Sequence, residues 1–64
     1  MTLQEIKNAV LAGETVHWMN SGYVVYESLA GLWLIVCTTN DSGIGLTWAD
    51  GVTLNGKEAQ FYIK

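Results

Sequence analysis

His17 and Cys37 are the only histidine and the only cysteine in the chain. They are therefore the only side chains from which a thiol–imidazole site could be made. Such a site needs the base within hydrogen-bond reach of the nucleophile, and a third group to orient the base. Cys37 closes the apolar run Leu32-Trp33-Leu34-Ile35-Val36-Cys37. A cysteine in that setting behaves as a small hydrophobe. A dyad would further require the strand of His17 to pair with that of Cys37. The plain reading of His17 is a strand position beside aromatic residues. Oxygen donors occur in Asn40-Asp41-Ser42 and at Asp50, without the spacing of a calcium loop. They read as solvated turns. Gly43-Ile44-Gly45 is followed by no lysine, and Gly56-Lys57 lacks the remaining glycines and hydroxyl of a phosphate loop. Glu5, Glu14, Glu27 and Glu58 read as surface charges, not as an acid/base pair. No cofactor, metal or small-molecule substrate is indicated, and the chain reads as a non-enzyme.

Trp18, Trp33 and Trp48 are a heavy aromatic load for 64 residues. They could stack the bases of a single strand, but such platforms come with Lys or Arg to hold the backbone. Here three lysines and no arginine stand against six acids, a formal charge of −3. Affinity for nucleic acid rests largely on phosphate neutralisation, so core or protein-interface packing is the better reading. Single-stranded nucleic-acid binding is the alternative. The mild acidity leans toward a neutral or basic protein partner.

The elements that must hold these residues follow from pattern. Thr2-Leu3-Gln4-Glu5 has capping-box spacing. Leu3, Ile6, Ala9 and Val10 then share one helical face, Leu11 widens the stripe, and Gly13 supplies the stop. The spacing predicts a helix from about Leu3 to Ala12. So short a helix does not persist alone in water. Thr15–Met19 reads as a first strand, with Val16 and Trp18 on one face and His17 and Met19 on the other. Asn20-Ser21-Gly22 reads as the turn that follows. Tyr23–Glu27 is a second strand and Ser28–Gly31 a second turn. Leu32 to about Thr38 is the central strand, buried at least partly on both faces. Ile44–Trp48 alternates as a fourth strand, and Gly45 within it implies a bulge or a large neighbour such as Trp18 or Trp33. Phe61-Tyr62-Ile63 closes the chain as a short strand or a covering tail. The sum is a single α+β domain over residues 1–64, with the helix on a twisted antiparallel sheet of four or five short strands. A small closed barrel plugged by the helix is the competing architecture.

A short helix covers one sheet face, yet the central strand is apolar on both. If Leu32, Leu34 and Val36 face the helix, then Trp33, Ile35 and Cys37 face away, joined by Tyr26 and Met19. Those five residues are the expected contact patch. Three outcomes are open. The sheet curls so that Phe61–Ile63 wraps its outer side, two copies pair through it, or another macromolecule binds there. The expected function is a small non-catalytic protein-binding or accessory protein, a homodimer or bound to a host protein. The lone cysteine, and the lack of a signal segment or membrane-length apolar run, lead to an expected cytoplasmic location.

The segment Ile44–Lys57, with Thr15-Val16-His17-Trp18, resembles very short, functionally unassigned proteins carried on bacterial plasmids and related mobile elements. The resemblance spans nearly the whole chain. It implies a bacterial cytoplasmic accessory protein acting on a host or defence protein, and it assigns no catalytic or binding residue.

Overall fold

The computed structural model describes residues 1–64. It begins with α1, Leu3–Leu11, whose start the sequence encodes in full. Glu5 N–H donates to Thr2 Oγ1 at 3.2 Å, and Thr2 N–H donates to Glu5 Oε1 at 2.8 Å. These reciprocal bonds satisfy amides that the first helical turn leaves unpaired. The helix ends at Ala12, and Gly13 follows with a φ of 89°. Ile6 and Ala9 are buried, while Leu11 is exposed and does not join the apolar stripe.

Five strands follow: β1 Val16–Trp18, β2 Asn20–Glu27, β3 Trp33–Cys37, β4 Ser42–Gly45 and β5 Phe61–Ile63. Every pairing is antiparallel, and the order across the sheet is β4-β3-β2-β1-β5. The first four make a meander. The chain then passes through a loop and a short 3-10 turn, Glu58–Gln60, before β5 adds beside β1. The sheet is open, with β4 and β5 as its edges, so the barrel is not formed. The terminal segment extends the sheet and does not wrap it.

The first connection departs from the sequence reading. The chain reverses at Met19, which has a φ of 66°, and Asn20 already belongs to β2. Pairing between β1 and β2 runs His17↔Val24 and then Trp18↔Asn20, so β2 carries extra residues opposite the end of β1. That bulge leaves the Tyr23 carbonyl near His17, whose Nδ1 lies 2.9 Å from it. The carbonyl only accepts, so Nδ1 carries the proton. The alternating segment from Ile44 is also interrupted: β4 stops at Gly45, and a Cβ there would meet the Thr47 carbonyl at 3.0 Å. The neighbour pressed on Gly45 is thus the chain doubling back, not an indole.

The core is Ile6, Ala9, Val16, Val25, Ile35, Leu46 and Phe61. It lies between α1 and one sheet face. Leu54, from the loop after β4, packs against it as well. The loop is tied down by Asp50. Its Oδ2 accepts from Thr53 Oγ1 at 2.6 Å, and its Oδ1 accepts from the amides of Thr53 and Val52, each at 3.0 Å. The Thr53 hydroxyl first, then the Thr53 and Val52 amides, hold the Asp50 carboxyl below its usual range. A depressed carboxyl contributes stability that is present above its unfolded value, about 3.9, and is lost as pH falls through the folded value. Carbon-detected titration of Asp50 is expected to give a midpoint below that value, and Thr53→Val should move it upward.

Candidate functional site

Antiparallel register sorts the sheet residues by face, because directly paired residues point the same way. Val25 pairs with Ile35, and both are in the core. Their side therefore holds Trp33, Cys37, Tyr23, Trp18 and Phe61. The opposite side carries one row across the whole sheet: Tyr62, His17, Val24, Val36 and Gly43. A second row, Tyr26, Leu34 and Gly45, lies beside it.

This reverses the expected assignment. Ile35 is 1% exposed and belongs to the core, so it is not a contact residue. Trp33 and Cys37 lie on the same helix-facing side, half-buried. Met19 is exposed but sits at the turn rather than on a sheet face. Of the five expected contact residues, only Tyr26 stands on the uncovered face, at 49% exposure. Alternation splits the run at Leu32–Cys37 into two apolar sets but does not say which set the helix takes. Pairing to β4 decides it. Ile44 stands opposite Ile35, and the buried Leu46 donates its amide to the Trp33 carbonyl at 3.0 Å. The Ile44 and Leu46 side chains thus build the inner side, and Gly43 and Gly45 face outward.

The tryptophans do not form a shared platform. Trp18 meets Tyr23 edge-on, with centroids 5.1 Å apart and planes at 77°. Trp33 lies beneath the Lys7 ammonium, 5.5 Å from its ring centroid, beside a shallow pocket of about 320 Å³. Trp48 is exposed in the loop. His17 and Cys37 are not neighbours either, since β2 separates their strands and they point to opposite faces. No cluster of three or more His, Cys, Asp or Glu side chains is placed to hold a metal ion. No helix is long and apolar enough to cross a membrane.

What the outer face offers is an apolar, aromatic-edged surface. Val24, Leu34 and Val36 are half-buried, and Tyr26 and Tyr62 are exposed. Gly43 and Gly45 add no side chains above the sheet, so the β4 side is flat. His17 is 5% exposed, and its ring centroid lies 5.4 Å from that of Tyr62. Its Nε2 is buried with no hydrogen-bond partner. In the neutral ring that nitrogen is an acceptor, and leaving a buried acceptor unpaired costs about 1–3 kcal/mol. Neither the row nor the orphan nitrogen could be read from composition, because both depend on register.

No protein-family model, curated protein or solved structure matches the chain. It is a small compact domain with an aromatic surface cluster.

Proposed function

We propose that this chain is a non-catalytic protein-binding module whose contact surface is the outer sheet face, and that the face pairs with a second copy of the chain. The carrying observation is the row Tyr62, His17, Val24 and Val36, flanked by Tyr26 and Leu34, opposite the side that α1 covers. Tyrosine is among the residues most enriched at interface hot spots, and the buried core of an interface is apolar. An accessory role toward a host protein is the wider form of the same proposal.

Size sets the expected strength. The five strands are three to eight residues long, and at about 3.4 Å per residue and about 4.8 Å between strands they give a face of roughly 400 Å². A standard interface uses about 800 Å² per partner. So small a face is at the low end of interface sizes, where transient contacts lie, and the expected pairing is weak and reversible. Light scattering is expected to show the mass rising from 7.0 kDa toward twice that value as concentration increases. Tyr26→Lys should hold the protein at the lower mass with its melting temperature unchanged, because Tyr26 is half exposed and outside the core. A single mass at every concentration, in wild type and variant alike, would remove the proposed self-contact.

A further inference from the structure

A second surface, independent of the outer face, lies where the β5 edge meets α1. Met19 N–H donates to the Gln60 carbonyl and Lys64 N–H to the Thr15 carbonyl. In this register Tyr62 shares their phase and turns its backbone groups toward β1. Phe61 and Ile63 therefore turn theirs outward. The Phe61 amide is used by the Glu58 carbonyl. The Phe61 carbonyl and both polar groups of Ile63 face away from the sheet along an edge with no neighbouring strand. Beside this edge runs an open groove of about 350 Å³, with Met1, Ala9, Ala12 and Ile63 among its walls and Glu5 and Glu14 at its rim. A free strand edge next to a helix, with a cleft between them, is the arrangement that accepts an added strand. The residue placed opposite Ile63 would turn its side chain to the helix side, into the cleft that the small Ala9 and Ala12 leave open.

We infer that this edge binds an extended, lysine- or arginine-flanked peptide segment as a sixth strand, with one apolar side chain of the peptide in the α1–β5 groove. The charge of the occupant follows from the rim carboxylates of Glu5 and Glu14 and from the overall −3. The Met1 ammonium donates to the Glu58 carbonyl at 2.6 Å and also acts on the Glu5 carboxylate, which the capping box holds, so Glu14 is the freer of the two rim charges. The test uses the full chain, isotope-labelled, and two short peptides of alternating Leu and Thr, one ending in lysines and the other in glutamates. The lysine peptide is expected to bind about tenfold more tightly, the sum of two modest surface charge effects, and to slow exchange of the Ile63 amide. Ala12→Leu fills the groove from an exposed helix end, and Glu14→Lys reverses a rim charge. Each should weaken the lysine peptide at an unchanged melting temperature. Equal binding of both peptides, no binding, or perturbation centred on Val24, Val36 and Tyr26 would overturn the inference. So would slowing of the Ile63 amide by protein concentration alone, which would place a second copy at this edge. Loss of the outer-face self-contact leaves this result untouched, since the two surfaces share no residue.

Discussion

Ile35→Ala is expected to leave the protein largely unfolded at room temperature. The side chain is 1% exposed and packs in the cluster with Ile6, Val25 and Leu46. Removing its outer carbons loses their transfer free energy and opens a void, together about 2–5 kcal/mol. A core in a chain this short rarely supplies more than about 3–5 kcal/mol. The loss is therefore comparable to the whole stability. Ile35→Val removes one carbon and should cost only about 0.5–1.5 kcal/mol, leaving a folded protein with a lower melting temperature. Thermal melts followed by circular dichroism, with amide dispersion as a second readout, separate these outcomes. A folded Ile35→Ala variant with an unchanged melt and altered association would mean that Ile35 lies at a contact surface, and the face assignment would be inverted. Tyr26→Ala is the internal control. From the outer face it should move the melt little while changing association.

That contrast bears on what the sequence could disclose. The helix was legible because its signals are local: a capping box at Thr2 and Glu5, a periodic apolar stripe, and a glycine at 13. The central strand was legible because an uninterrupted apolar run between turn-formers has few other uses. The side of the sheet was not legible, because Leu34 and Ile35 are equally apolar. Only the distant partners Val25, Ile44 and Leu46 make one of them core. Neither was the first turn. Asn20-Ser21-Gly22 has the composition of a reversal, yet Met19 takes the positive φ, and the Asn20 side chain accepts the Gly22 amide at 2.8 Å inside β2. The bulge that results sets the His17–Tyr23 bond and so the outer row. The candidate surface was thus hidden in register, while its ingredient Tyr26 was in plain view.

Gly56→Ala is expected to destabilise the protein by about 1–3 kcal/mol, the usual cost of overpacking, which corresponds to a fall in melting temperature on the order of 10 °C. The reason is contact, not backbone conformation. Gly13, Gly31 and Gly51 have positive φ and open space where a Cβ would go, whereas Gly56 is outside that group. A Cβ at Gly56 would lie 2.6 Å from Trp18 Nε1 and 3.2 Å from Cε2. The indole cannot easily give way. Its Nε1–H donates to Gln60 Oε1 at 3.2 Å, that oxygen also accepts the Lys57 amide at 3.0 Å, and Tyr23 stands edge-on at the ring. At a permissive site Gly→Ala gains about 0.4–1 kcal/mol by restricting the unfolded chain, so the sign of the change reports the clash directly. Trp18→Phe removes the indole nitrogen, and the two substitutions together should cost less than their separate sums, a coupling that a double-mutant cycle measures. A neutral or stabilising Gly56→Ala would show that the indole shifts freely. The loop and the 3-10 turn would then not be clamped over the inner side of the sheet. That clamp, with α1, is what fills the inner side and leaves the row from Tyr62 to Val36 on the side that no other element covers.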